Sequence, residues 1–253
     1  MAALFRRRTA LTAIVGWLMA AGCARALPRS TSYEEGSSTM LSSLKRLISG
    51  NGKAVPTRNS KDRREAYETF LEEPEYVFEG KDDTDTLVEA YGRDFAPEGS
   101  VDEGYVLLSN GMSDQQMSIP EGAGEEGIKP RAELMWYVRE PTPEIVANLR
   151  WLTQFPFIDK TFIGFGHRIP MPTPPLSDCP FKTFLFLRPI ICDDELLSDT
   201  VFVDNEKVDI LTVHLISDAE YAFIKSKGLD PFLDMLDEND YPPIFDPKRP
   251  SYI

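Results

Sequence analysis

Residue types that commonly carry catalysis or bind metals are sparse in this sequence. Only two histidines are present, His167 and His214, so a zinc site built from several imidazoles is excluded. The sequence contains no C-x-x-C, H-E-x-x-H or G-x-S-x-G motif and no phosphate-binding loop. His167 follows Gly164 and Gly166, and such small residues either make room for a ligand or mark a bulge that turns a strand. We prefer the structural interpretation, and we predict no catalytic residue, metal or cofactor.

Two acidic segments match ligand-binding motifs only in part. Residues 122–127, Gly-Ala-Gly-Glu-Glu-Gly, fit the G-x-G-x-x-G string, but Glu125 and Glu126 would repel a phosphate. Residues 82–85, Asp-Asp-Thr-Asp, lack the turn glycine and the closing glutamate of a calcium loop. We interpret the first segment as an acidic loop and the second as a solvated turn.

The charge balance restricts the kind of partner. The 253 residues are 42% hydrophobic, which is enough for a core, and carry a formal net charge of -14. A form that began at Leu27 would retain 23 basic against 41 acidic side chains, a formal charge of -18. Such a surface repels nucleic acid and attracts a basic protein, although acidity also serves solubility alone.

Residues 1–26 have the pattern of a signal peptide. A basic start at Arg6, Arg7 and Arg8 precedes about a dozen apolar residues, fewer than the roughly 20 of a spanning helix, and a small-x-small cleavage site. Cys23 ends a segment that resembles a lipoprotein box, which makes it a candidate lipidation site. We therefore predict export, to the periplasm or to a membrane through a lipid on Cys23; a cytoplasmic location is the alternative if the segment is not a signal.

The elements that must position any site begin after residue 60. Residues 27–60 are rich in Ser, Gly, Asn and Lys and are predicted to be a flexible linker, followed by a single domain over 61–253. Hydrophobic periodicity and capping patterns predict helices over Asp62–Glu73, from a Thr142 cap, from a Ser217 capping box to Gly228, and over Asp230–Leu236. Predicted strands are Thr86–Tyr91, Tyr105–Ser109, Ala132–Val138, Thr161–Ile169 and Phe181–Ile190, with a hairpin over Val201–Ile216.

This order favours an α+β fold with a mainly antiparallel mixed sheet and helices packed against it, because one long helix interrupts five strands. Cys179 and Cys192 flank the predicted strand over 181–190. Ten extended residues span about 33 Å, well beyond the roughly 7 Å limit of a disulfide, so both cysteines are predicted to be free thiols.

A series of short motifs carries a family resemblance over roughly residues 63 to 252. The segments are Ser109-Asn110-Gly111-Met112-Ser113-Asp114, Arg131-Ala132-Glu133-Leu134, Trp151-Leu152, Gly164-Phe165-Gly166-His167-Arg168-Ile169-Pro170, Leu187-Arg188-Pro189-Ile190, Ile216-Ser217-Asp218-Ala219-Glu220, Gly228-Leu229-Asp230, Asp237-Glu238-Asn239-Asp240 and Phe245-Asp246-Pro247. In this order they resemble the suppressor-of-fused family in its bacterial form.

The resemblance implies an α+β domain without enzymatic activity that acts by binding another protein. Bacterial relatives are generally assigned as immunity proteins that neutralise a toxin, and the animal member clamps a linear peptide. The signal-like start departs from their usual cytoplasmic setting.

We therefore expect a protein-binding domain whose partner is a basic toxin or effector. Candidate contacts are Asn110, Gly111, Met112 and Ser113 in one turn, and Gly166 and His167 in another, which could line one cleft or only specify the fold. The alternatives are a structural cell-envelope lipoprotein and a hydrolase with a site near His167.

Overall fold

One mixed sheet organises the part of the chain that the computed structural model describes, namely residues 58–80, 86–95, 104–120, 129–189, 197 and 199–253. The helices there are α1 (Arg58–Leu71), α2 (Pro143–Ile158), α3 (Asp218–Lys227) and α4 (Asp230–Glu238). The strands are β1 (Tyr76–Phe78), β2 (Leu87–Phe95), β3 (Gly104–Asn110), β4 (Ala132–Val138), β5 (Arg168–Pro170), β6 (Thr183–Leu187), β7 (Phe202–Val203), β8 (Glu206–Lys207) and β9 (Asp209–Ile216).

Within these residues the main sheet has seven strands in the order β1-β2-β3-β4-β9-β6-β5. Every neighbouring pair is antiparallel except β4 and β9, which run parallel. The predicted α+β class with a mainly antiparallel mixed sheet is confirmed.

Helices cover both faces of this sheet. Alternate residues of β4 point to opposite faces, so that Trp136 joins the core beneath α2 whereas Met135 joins the core with Tyr67 of α1. Leu185 of β6 packs with Ile224 of α3 and with α4 on the same side as α1. Because both faces are covered, β3 and β4 are buried along their whole length.

The predicted helix boundaries follow from local caps. The Thr142 side chain accepts a hydrogen bond from the Ile145 N–H at the start of α2, with Pro143 in the first turn. Ser217 and Glu220 form the reciprocal capping box of α3, and Gly228 with a φ of 98° ends it.

One strand prediction was wrong, and one hairpin prediction was right only near its turn. Thr161–Ile169 contributes only the start of β5, because most of this segment is a loop that places apolar side chains such as Ile163 in the core without strand pairing. Val201–Ile216 does not fold back on itself as one hairpin. Asp204 and Asn205, with φ of 52° and 64°, turn only the two-stranded β7–β8 hairpin, and β9 leaves it to pair with β4 and β6.

The segment after α4 closes a gap in the sheet. β4 and β9 pair only from Ala132 to Met135, and beyond that point Phe245 forms a parallel bridge with Val138. The Phe245 N–H donates to the Tyr137 carbonyl at 2.9 Å, and its ring lies 5.6 Å from that of Trp136. The C-terminal segment is therefore part of the core.

Several predictions concern residues outside the described ranges: the signal peptide over 1–26 with Cys23, nearly all of the linker over 27–60, the turn over 82–85, the acidic loop over 122–127, and Cys192. Cys179 is a buried free thiol, as predicted, and burial raises its pKa. No helix among the described residues is long and apolar enough to span a membrane.

Candidate functional site

The turn after β3 is built around a buried carboxylate. Glu133, at the start of β4, accepts hydrogen bonds from the Gly111 N–H at 3.0 Å and the Ser113 N–H at 2.9 Å. It also accepts from the Ser113 hydroxyl at 2.7 Å and from the Ser109 hydroxyl. Gly111 has a φ of 143°, a conformation that side chains rarely adopt. Glu133 thus fixes the whole turn.

Arg63 of α1 supplies the positive charge for this turn. Its fully buried guanidinium donates to the Asn110 side-chain oxygen at 2.8 Å and to Asp114 at 2.7 Å, and its Nε lies 3.4 Å from a Glu133 oxygen. Burial opposes its charge, but the carboxylates of Glu133 and Asp114 outweigh burial and raise the pKa of Arg63. Helix α1, which is distant in sequence, therefore completes the hydrogen bonding of the turn after β3.

A second buried carboxylate, Glu89 of β2, adjoins the first. It accepts hydrogen bonds from Arg64, from the Tyr91 hydroxyl at 2.6 Å and from the Asn110 side-chain nitrogen at 3.1 Å. Burial, followed by the charge of Glu89, raises the pKa of Tyr91 above its usual value, so this phenol stays protonated. Asn110 bridges Arg63 and Glu89, and both the oxygen and the nitrogen of its amide have hydrogen-bond partners.

Arg131 links the turn to the β7–β8 hairpin. Its guanidinium donates to the Ser113 carbonyl at 2.7 Å, to Glu206 at 2.7 Å and to Asp204 at 3.1 Å. The hydrogen bond from Arg131 lowers the pKa of Glu206. The hairpin is therefore held against the end of the sheet by charge.

These contacts show what the four predicted residues of this turn do. Asn110 and Ser113 are buried and satisfied within the fold, and Met112 is buried in the core beneath α2. Side chains that reach the surface here belong to Asp114, Gln115 and Gln116. A partner at this turn would meet those three residues rather than the side chains of the motif, and whether any partner binds there stays a prediction.

Gly166 and His167 lie in the loop that enters β5. The Gly166 N–H donates to the Phe186 carbonyl at 2.7 Å, and a side chain at Gly166 would approach Leu229 to 2.8 Å. The His167 ring lies 4.5 Å from that of Phe162, and its Nδ1 is 3.3 Å from the Phe162 carbonyl oxygen. Burial, and then the positive charge of Arg168, lower the pKa of His167, so the neutral imidazole is favoured.

The two predicted sets are not adjacent. Asn110 ends β3 and His167 precedes β5, and three strands separate β3 from β5 in the sheet. Because neighbouring strands lie about 4.8 Å apart, the two sets are roughly 19 Å apart. Among the described residues, no hydrogen bond, ion pair or ring contact joins them. A single ligand would have to extend across the end of the sheet to reach both.

A further buried ion pair joins the C-terminal segment to α3. Arg249, in the C-terminal segment, donates to both Glu220 oxygens at 2.7 and 2.8 Å and to the Leu215 carbonyl at 3.0 Å. Its guanidinium lies 4.3 Å from the Phe181 ring centroid and 4.9 Å from that of Tyr252. Burial would raise the pKa of Glu220, but the hydrogen bond from Arg249 outweighs it and lowers that pKa.

Sequence reasoning missed Arg63, Glu89, Glu133 and Arg249 as structural ion pairs. The available signal was a charged residue between apolar neighbours, as in Val88-Glu89-Ala90 and Ala132-Glu133-Leu134. Such a residue in a strand buried on both faces needs a partner. The sequence did not indicate which arginine that partner is. In the described part of the chain, no group of three or more His, Cys, Asp or Glu residues could hold a metal ion.

Comparison with known proteins gives one family match. The family model described as suppressor of fused protein (SUFU) matches residues 95–250. No curated protein matches the chain.

Three solved structures are similar in fold. A SUFU homologue from Neisseria gonorrhoeae FA 1090 is 16% identical, with 86% of this chain and 96% of that chain covered and a TM-score of 0.47. Drosophila Suppressor of Fused is 14% identical, with 67% and 43% covered and a TM-score of 0.48. A chain of the Sufu-Fu complex is 12% identical, with 86% and 92% covered and a TM-score of 0.47.

Proposed function

Since this chain belongs to the suppressor of fused family, we propose that it is a non-catalytic protein-binding domain of the immunity type, which neutralises a toxin or effector by occupying its surface. The observation that carries the proposal is the family match over residues 95–250, which takes in the two partner-binding candidates, the turn after β3 and the loop before β5. The buried hydrogen bonds and ion pair of Glu133, Arg63 and Asn110 agree with a rigid scaffold that presents a surface to a partner.

The distribution of charge supports a basic partner. No basic residue occurs between Gly228 and Pro247. Five carboxylates are exposed on and directly after α4, namely Asp230, Asp234, Asp237, Glu238 and Asp240. Such a surface increases the association rate of a basic protein through long-range attraction, and this attraction weakens as salt increases. We assign α4 as the face that first meets the partner.

The test is capture of the partner followed by rescue. Tagged protein is used to isolate binding partners from the native host, and the recovered toxin is then produced with and without this protein. We expect a stoichiometric complex and restored growth. Absence of both a partner and protection would contradict the proposal.

A charge variant tests the assigned face once the partner is in hand. Replacing Asp234, Asp237 and Glu238 by their amides should lower the association rate about tenfold at low salt, and much less at high salt. The matched control replaces Asp178, Glu140 and Asp199, which are exposed acidic residues elsewhere. If the two triple variants slow association equally, net charge acts and the α4 face does not.

We also propose that the protein is exported and that Cys23 carries the lipid. Support comes from the sequence of residues 1–26 and from the position of Cys23 at its end. The expected result is a mature protein without Met1 that partitions with membranes, and a Cys23→Ser variant that does not. Recovery of an intact Met1 from the native host would contradict export.

A further inference from the structure

The turn after β3 contains an Asn-Gly pair, Asn110–Gly111, a dipeptide that deamidates readily in unstructured chains because glycine lets its nitrogen approach the side chain. The Gly111 nitrogen attacks the Asn110 side-chain carbon, the bond from that carbon to Nδ2 breaks, and the nitrogen's proton leaves with the ammonia. Water then opens the resulting succinimide ring to aspartate or isoaspartate. Water is consumed, ammonia is released, and no oxidant or reductant is needed.

The fold requires both residues of this labile pair. Gly111 has a φ of 143°, which side chains rarely adopt, and a Cβ there would lie 3.4 Å from the Thr86 Cα. Asn110 accepts a hydrogen bond from Arg63 and donates one to Glu89, and an aspartate could not do both. Protection against deamidation must therefore come from the surroundings of the pair.

Contacts on both reacting groups oppose the reaction in the folded chain. Asn110 ends the extended strand β3, and ring closure requires its backbone to rotate out of that conformation. Its Oδ1 accepts from Arg63 at 2.8 Å and its Nδ2 donates to the Ser60 carbonyl at 2.9 Å, and both bonds hold the amide in place. The Gly111 N–H donates to the Glu133 carboxylate at 3.0 Å, and that negative charge disfavours loss of the proton from the nitrogen.

Helix α1 supplies much of this protection. Within its described part, the buried residues are Ser60, Arg63 and Tyr67. Each of the three hydrogen-bonds to the segment over 109–114: Ser60 through its carbonyl, Arg63 through its guanidinium, and Tyr67 through a phenol that lies 3.0 Å from the Ser109 carbonyl oxygen. Undocking of α1 would remove all of these bonds from the turn together.

We propose that Asn110–Gly111 is a deamidation site that docked α1 keeps unreactive, so that the turn is modified when α1 undocks. The reaction makes this opening permanent. An aspartate at position 110 has no N–H for the Ser60 carbonyl and places a negative charge beside Glu89. An isoaspartate also lengthens the backbone by one atom and displaces the Gly111 N–H from Glu133. Both products weaken renewed docking of α1.

The test is the deamidation rate at Asn110 in the full chain, measured by peptide mapping with mass spectrometry during incubation at neutral pH. A synthetic peptide that covers residues 107–114 gives the rate of the same sequence without the fold. We expect the wild-type protein to react at least about tenfold more slowly than the peptide, because the reaction must wait for the open state. Equal rates would overturn the proposal.

Variants of α1 test whether this helix controls the rate. Tyr67→Phe removes the phenol that donates to the Ser109 carbonyl and should raise the rate at Asn110 by about threefold or more. Arg63→Met removes the bonds to Asn110 and should raise it further, towards the rate of the peptide. Lys61→Met removes an exposed cation from the same helix and should react as the wild type does. Wild-type rates in both Tyr67→Phe and a folded Arg63→Met would contradict control by α1.

A variant that weakens another element separates undocking of α1 from unfolding of the whole domain. Ser217→Ala removes half of the capping box of α3 and leaves every bond of α1 in place. We expect its rate at Asn110 to stay within about twofold of the wild-type rate. If Ser217→Ala accelerates the reaction as much as Tyr67→Phe does, global unfolding limits the rate and the proposal fails. Should Arg63→Met not fold, the comparison of Tyr67→Phe with Ser217→Ala decides.

Asn110→Asp, which reproduces one product, tests whether the modified turn releases α1. Trypsin should cleave after Arg63 or Arg64 at least about fivefold faster in this variant than in the wild type, because cleavage needs the undocked helix. Equal cleavage rates would overturn the claim that the opening is permanent. No partner protein takes part in any of these assays, so their outcome is independent of the binding function proposed above.

Discussion

At the scale of single residues, this protein buries charged side chains and pairs them within its fold. Glu89 and Glu133 are completely buried, and each has several donors arranged around it. A buried pair of this kind is a modest source of net stability, but removing one partner leaves the other uncompensated. The pairs therefore specify which turn and which helix come together, and they make the fold sensitive to changes at few positions.

Glu133→Gln should destabilise the fold strongly. The amide keeps the shape but turns one acceptor oxygen into a donor, which would face either the Gly111 and Ser113 N–H groups or the Ser109 hydroxyl. It also removes the completely buried one of the two carboxylates that neutralise Arg63. We expect a loss of about 3–5 kcal/mol in the free energy of unfolding, measured with urea. Glu140→Gln, at an exposed site, should change it by less than about 0.5 kcal/mol. Equal effects of the two variants would contradict the buried network.

His214 should make stability depend on pH. Burial, reinforced by the charge of Arg249, lowers its pKa to about 3, and its ring nitrogens contact Thr212 at 2.9 Å and Tyr241 at 3.1 Å. The unfolded chain binds this proton near pH 6.5 and the folded chain does not. Its stabilising contribution is therefore complete above pH 6.5 and decreases as the pH falls towards 3, by up to about 1.4 kcal/mol per pH unit.

Unfolding free energies measured between pH 7 and 5.5 check this sign. The window lies more than one unit above the ordinary pKa of unfolded carboxylates, so histidines dominate the slope. A His214→Gln variant should show a flatter pH profile than the wild type. His167→Gln should flatten it less, because that imidazole is only half-buried. Parallel curves for the wild type and His214→Gln would contradict the prediction.

At the scale of elements, local patterns predicted the helices better than the loops. Thr142 and Ser217 mark helix starts through bonds to their own neighbours, so nearby residues suffice to recognise them. The loop before β5 was predicted to be a strand because apolar residues such as Phe162 and Ile163 occur both in buried strands and in buried loops. Which of the two forms depends on packing against α2, and that information is not local.

Ser217→Ala tests the contribution of one such local pattern. It removes the acceptor for the Glu220 N–H at 3.1 Å and half of the capping box of α3. We expect a loss of about 1 kcal/mol, seen as a decrease of roughly 2–4 °C in the melting temperature. Ser226→Ala, on the exposed side of the same helix, is the matched control and should change little. An unchanged melting temperature for Ser217→Ala would show that the cap is redundant.

The candidate site shows the same division between local and distant information. Asn110 to Ser113 were recognised as a turn because a glycine and polar residues lie between two apolar segments. Their burial beneath Arg63 could not be predicted, since α1 reaches them from about 50 residues away.

At the scale of the whole molecule, the C-terminal segment holds the diverging halves of the sheet together. Phe245 fills the gap between β4 and β9, and Arg249 joins this segment to α3 through Glu220. The prediction of a single domain fits this arrangement, because one sheet passes through both halves. The C-terminal segment, although rich in proline, is thus a structural element.

Arg249→Met should loosen this whole arrangement. The variant leaves Glu220 buried without its counter-charge and withdraws a cation from between Phe181 and Tyr252. We expect a loss of about 3–5 kcal/mol, with faster proteolysis within the C-terminal segment. Lys248→Met, at the exposed neighbouring position, should behave as the wild type. A stable, protease-resistant Arg249→Met protein would show that Phe245 alone anchors the segment.

The positions of Arg63 and Arg249 in the sequence also influence when the domain folds. Arg63 opens the domain and Arg249 nearly closes it, yet each neutralises a carboxylate that lies between them in sequence. Neither half of the chain can reach its final state early, because the remote contacts must be brought together across long loops, which slows the search. The domain should consequently fold late and in a single cooperative step. Its chain should remain unfolded until both arginines have reached their carboxylates.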